Sequence, residues 1–187
     1  MKKFGILEII LVILVVIVVT LVSKYNGLVS RREAVDGAYA NLDVTLQRRC
    51  DLIPNLVSTV KGFASHETET IDKVIDARTK LINANTIDEK SEANDELTSS
   101  LNALLVVVEN YPDLKSSANF TQLADELAGT ENRIAVARRN YNNAVRSYNT
   151  YIGKFPSNII ANMFDFETSK YFEASDNASD VPQVSFD

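Results

Sequence analysis

An all-α fold is predicted, an N-terminal transmembrane helix continuous with an antiparallel up-down bundle of three to four long helices, and three observations predict it. Leu123, Leu127, Thr130, Ile134, Ala137, Tyr141, Ala144, Tyr148 and Tyr151 alternate spacings of four and three, the mark of a heptad seam on one long helix. From Phe4 to Val22 every residue is apolar except Gly5, Glu8 and Thr20. Trp is absent, Gly and Pro are scarce, and no strand-like alternation is sustained anywhere.

The apolar run comes first in the chain. At 1.5 Å per residue it spans roughly 28 Å, enough for one bilayer crossing. The rival reading is a cleaved signal peptide behind Lys2 and Lys3. That run is too long for one, and no small-x-small cleavage site follows it, so residues 1–24 are expected to stay as an anchor. No cysteine lies close enough for a lipoprotein linkage. Glu8 sits near one end of the run, where its carboxylate reaches the headgroups. Lys2 and Lys3 on one side balance Lys24, Arg31 and Arg32 on the other, so charge leaves the side faced by the bundle open.

Beyond the anchor, Tyr25, Leu28, Arg32, Val35, Tyr39, Leu42, Leu46, Arg49 and Ile53 repeat the threes and fours, so the membrane helix is expected to run on into a bundle over residues 25–155. Two arginines, Arg32 and Arg49, stand on that seam. Each either lays its stem on the core with its head in water, or enters a buried ion pair. Pro54 predicts a helix break, with Asp51–Ile53 as a tight corner. A second helix then carries Leu56, Val60, Phe63, Ile71, Val74 and Leu81, and ends in the polar run Asn83 to Asp88. Thr86 and Glu89 form a capping-box signature for a third helix, which holds Leu97, Leu101, Leu104, Leu105 and Val108 and stops at Tyr111-Pro112. Asn119, with Gln122 three residues on, is the expected cap of the long helix, and Phe155-Pro156 its end. An apolar coda over 156–173 (Ile159, Ile160, Met163, Phe164, Phe166, Tyr171, Phe172) then lies at the membrane-proximal end. It either plugs the base of the bundle, the preferred reading, or rests in the headgroup region. Residues 174–187 are acidic and polar, and disorder is expected there.

Composition narrows the chemistry. The chain has 187 residues, 45% hydrophobic and 24% charged, with a formal charge of −6, so nucleic acid is not an expected partner. One cysteine, Cys50, excludes an internal disulfide, and no Cys/His set exists for zinc. His66-Glu67 begins like a zinc-protease motif, yet Thr70 stands where the second histidine belongs. Glu67, Glu69 and Asp72 read as a solvated helix face. No catalytic set, metal or cofactor is expected.

The charged residues Arg48, Arg49, Asp51, Asp43, Glu131, Arg133 and Arg138 make the one candidate site, either structural or anion-binding. In an up-down bundle, residues equally far from the membrane-side ends of the first and last helices share a level. This predicts that Glu131 pairs with Arg48 or Arg49, and Arg138 with Asp43 or Asp36. A desolvated pair of this kind contributes little net stability but fixes register. Alternatively Arg48, Arg49, Glu131 and Arg133 frame a pocket for a small anion.

The strings YNGLVSRREAV, QRRCDLIPNLVSTVKGFASHE, ENYPDLK and TENRIAVARRNYNNAVRSYN, in this order and spacing, resemble the LemA family from Tyr25 to about Phe172. The resemblance implies a bacterial single-pass protein of the cell membrane with an antiparallel helical bundle, and relatives that include a magnetosome-membrane protein. It implies no enzymatic reaction and no catalytic residues. The expected role is a non-enzymatic, membrane-anchored scaffold or adaptor for other membrane proteins. The alternatives are a ligand sensor with a polar inter-helix pocket, and a membrane-shaping protein acting through its coda. The lipid bilayer and other membrane proteins are the expected partners, with homo-oligomers left open.

Overall fold

A computed structural model describes residues 5–173. The expected disorder of 174–187 lies outside the described residues. The described residues form helices α1 (Ile6–Phe63), α2 (Thr68–Asn83), α3 (Ile87–Val108), α4 (Pro112–Lys115), α5 (Ala118–Gly153) and α6 (Ser157–Met163), with no strand among them.

The described chain divides into two compact units. One holds residues 5–39 together with Tyr141–Ser169. Its α1 segment begins with the apolar run, which is exposed on all sides, and α1 is long and apolar enough to cross a membrane. Leu28 and Val35 of α1 and Val145 and Tyr148 of α5 are the buried layer beyond that run. Gly27 meets Tyr151 and Tyr39 meets Tyr141, so α1 and α5 run antiparallel here. The close approach needs glycine, because a Cβ at position 27 would lie 2.9 Å from the ring carbon that bears the Tyr151 hydroxyl. The Arg31 guanidinium stacks 3.9 Å over the same ring while donating to the Gly27 carbonyl at 3.2 Å. Asn149 clamps the chain after α6, donating to the Ser169 carbonyl at 2.8 Å and accepting from its N–H at 2.9 Å.

The other unit holds Ala40–Asn140 and residues 170–173. Leu42, Leu46, Ile53, Leu56 and Val60 of α1 are buried in it with Ile71, Val74 and Leu81 of α2, Leu97, Leu101 and Leu104 of α3, and Ile134 of α5. α2 and α3 form an antiparallel hairpin held at its surface by Lys80–Glu96 at 2.6 Å. The Thr86–Glu89 capping box opens α3 as the sequence indicates.

Two boundaries and one buried position differ from the expected ones. α1 does not break before Pro54: it continues to Phe63, and the corner lies at residues 64–67. Proline lacks the N–H that would answer the carbonyl of Cys50, four residues earlier. The Arg78 guanidinium of α2 answers it instead, with Nε donating at 2.8 Å, so the helix keeps its course with the acceptor satisfied. Leu56, Val60 and Phe63 therefore belong to α1 rather than to a second helix. At the start of α5 the cap is Ser117, whose hydroxyl accepts from the Phe120 N–H at 3.3 Å, and Asn119 already lies inside the helix. Late in α5 the buried residue is Val145, not Ala144, because a helix of 3.6 residues per turn drifts against a strict 3.5 repeat.

Candidate functional site

The α1 seam carries Arg49 inward between α3 and α5, leaving its side chain only 5% exposed. A buried guanidinium must have its donors and its charge answered. Nη1 donates to Asn94 Oδ1 at 2.8 Å and to Thr98 Oγ1 at 2.9 Å, both on α3. Thr98 is free to accept because its own proton goes to the Asn94 carbonyl at 2.9 Å. Nη2 stands 2.9 Å from Glu131 Oε2 on α5. That oxygen is buried with no N–H aligned on it, so it holds the guanidinium by charge rather than by a directed hydrogen bond. The Glu131 side chain as a whole is 47% exposed. Burial lowers the pKa of Arg49, and Glu131 acts against that shift. Arginine stays charged under either influence.

The predicted residues do not form one cluster. Of the two arginines offered to Glu131, Arg49 takes it, and Arg48 is exposed. Arg48 and Arg133 instead line a shallow groove of about 720 Å³ with Gln122, Asp125 and Glu126. Two carboxylates there offset the two cations. Arg133 also donates to Thr130 Oγ1 at 2.7 Å within α5. Asp43 pairs with Lys90 of α3 and not with Arg138, which is half-buried on α5. The reason is topological: α3 runs parallel to α1 beside it and brings a cation to that level first. Asp51 is exposed and accepts from Gln47 at 2.8 Å. On the seam, Arg32 is exposed and so does not enter a buried ion pair.

Beside the Arg49–Glu131 pair lies a cavity of about 370 Å³ whose walls include Leu56, Leu101, Leu105, Leu127, Thr98 and Asn102. The four Arg48, Arg49, Glu131 and Arg133 expected around one anion pocket are thus divided between two hollows, and the one that holds Arg49 is mostly apolar. Cys50, next to Arg49, is buried, and burial pushes its thiol pKa up. It is thereby kept a thiol rather than a thiolate nucleophile. Exposed His66 sits in the turn after α1, and the described residues bring together no group of three or more potential metal ligands.

Asn94, Thr98, Lys90 and Arg78 were not among the expected site residues. For two of them a signal existed. Stepping back from Leu104, Leu101 and Leu97 by the same threes and fours reaches Asn94 and then Lys90, polar residues on a core stripe.

The LemA family model matches residues 38–186. Protein LemA of Metamycoplasma hominis is 27% identical over 94% of this chain and 81% of its own length. Magnetosome protein MamQ 2 of Paramagnetospirillum magneticum is 28% identical over 88% of this chain and 70% of its own. MamQ of Magnetospirillum gryphiswaldense is 26% identical over 88% and 71% respectively.

Proposed function

This chain belongs to the LemA family, and from that premise we propose that it is a single-pass membrane protein whose helical domain acts as a non-enzymatic scaffold or adaptor for other membrane proteins. One observation carries the reading. A single helix, α1, holds the exposed apolar run at its start and buried seam residues further along, so an anchor formed by that run and the helical domain share one element. The state of Arg49 supports it too, since its charge and two of its donors are used within the protein and not offered to a substrate. Relatives named for the magnetosome, rather than for a reaction, agree with a structural part. Photo-crosslinkers at exposed Val106 of α3 and Ile82 of α2, introduced into the full chain in intact cells, are expected to capture one defined membrane protein. Recovery of lipid adducts alone would sink the adaptor role.

A second reading, ligand sensing, draws on the 370 Å³ cavity. With leucines on its walls and Thr98 and Asn102 as polar groups, that cavity suits a small apolar molecule with one polar end, not a free anion. Ala128 also lines it, and filling it by Ala128→Leu is expected to abolish any stabilisation by such molecules.

A further inference from the structure

The described chain past α5 returns to the place where α1 leaves its apolar run. That run ends at Val22, and three residues later the ring of Tyr25 meets Phe164 edge-on at 4.9 Å and Phe166 at 5.8 Å. Both phenylalanines reach it because Asp165 between them adopts φ 55°, a left-handed turn that aspartate tolerates. At a rise of 1.5 Å per residue, Tyr25 lies roughly 5 Å along the helix from Val22. α6 is therefore fixed, within one compact unit, at the level of the end of the apolar run.

α6 is apolar on two sides. Ile160 and Ala161 are buried, as a plug of the base requires. Ile159 and Met163, one turn apart on another face, are 49% and 62% exposed, and Phe155 and Phe164 flank them at 81% and 53%. An apolar group left in water at this level is costly unless something covers it. We propose that this face is seated in the lipid surface, at the boundary of headgroups and acyl chains, beside the point where α1 emerges. The inference rests on the reading of α1 as a membrane anchor, with which the patch is continuous. The two expected roles of the coda are then divided between its faces: one plugs, the other wets into lipid. The exposed face itself, Phe155, Ile159, Met163 and Phe164, carries no charged side chain, so the attraction is apolar and does not call for anionic lipid. Tyr25, partly exposed at this level, matches the tyrosines that gather at membrane interfaces.

The test uses the full chain in phosphatidylcholine vesicles, with an environment-sensitive fluorophore at Ile159→Cys, Met163→Cys, Val15→Cys or Asn143→Cys. Native Cys50 is buried and excluded from labelling in the folded chain, and a Cys50→Ala background repeats each measurement. Labels at 159 and 163 are expected to show blue-shifted emission and to lose intensity to headgroup-level spin-labelled lipid but not to aqueous iodide. The label at 15 should be quenched by deep spin labels, and that at 143 by iodide alone. Iodide quenching at 159 and 163, with 15 still quenched from within the bilayer, overturns the seat and leaves the anchor standing. Loss of deep quenching at 15 overturns the anchor reading itself. Labels at 159 and 163 shielded from both iodide and lipid indicate that a second copy covers the face, which also overturns the proposal.

Discussion

Removing the Glu131 carboxylate leaves the Arg49 guanidinium with Asn94 and Thr98 but without its counter-charge. Breaking a fully buried pair costs about 3–5 kcal/mol. Because half of Glu131 is exposed, water takes over part of its role, and Glu131→Leu is expected to cost about 1–2 kcal/mol. Glu131→Gln, which keeps a polar acceptor near Nη2, should cost less than about 1 kcal/mol. Urea midpoints of the detergent-solubilised chain distinguish the two, and equal losses would remove the case for a charge interaction. The pairing level was legible in the sequence because it follows from helix direction alone. The other partners of Arg49 were not, since Asn94 and Thr98 lie in the polar string SEANDELT and look like surface unless the stripe of Leu97 and Leu101 is extended backwards. Asp43 was misassigned for a related reason: the two-helix count took no account of α3, which supplies Lys90.

At the scale of the element, α1 depends on a residue that belongs to another helix. Arg78→Leu strands the Cys50 carbonyl and is expected to destabilise the chain by about 1–3 kcal/mol. Pro54→Ala restores the missing N–H, so Arg78→Leu should cost clearly less in that background, a coupling that a double-mutant cycle measures. Simple additivity would show that the guanidinium serves no such purpose. Local rules placed the break at Pro54 because they see the lost donor and cannot see a replacement contributed from 24 residues further on. Where both halves of a cap are local, as in Thr86 and Glu89, the same rules succeeded. Glu89 accepts from the N–H groups of Asn85 at 2.8 Å and Thr86 at 3.0 Å, which holds its pKa below the ordinary carboxylate value. A depressed folded pKa means stability fully present above the unfolded value of about 4.3 and lost as pH falls through the folded one. Glu89→Gln retains an acceptor without the titration, so its urea midpoint should fall less steeply with acid than that of the native chain.

For the whole molecule, the two proposed membrane attachments differ in strength. A spanning helix is effectively irreversible, whereas a small interfacial patch binds marginally. Deleting residues 5–22 is therefore expected to move the chain from the carbonate-resistant membrane fraction to one that co-sediments with vesicles only at high lipid concentration. Full retention on membranes after the deletion would show that the anchor is dispensable. The class of fold and the long apolar run were plain in the sequence because periodicity and length report them directly. Which face of the coda is buried was not, since Ile159 and Ile160 are chemically identical neighbours and only tertiary packing separates them.

The Arg49–Glu131 contact also bears on mistakes the chain could make while assembling. Seam positions recur every seven residues, so α5 could dock against α1 one repeat out of place with its oily stripe still covered. Seven residues beyond Glu131 stands Arg138. A slip in that direction would set one cation against the buried Arg49 guanidinium, while a slip the other way would offer Arg49 the methyl group of Ala124. A single ion pair thus penalises both nearby misalignments, and a chain with Arg138→Glu should lose much of that discrimination without losing its native contacts.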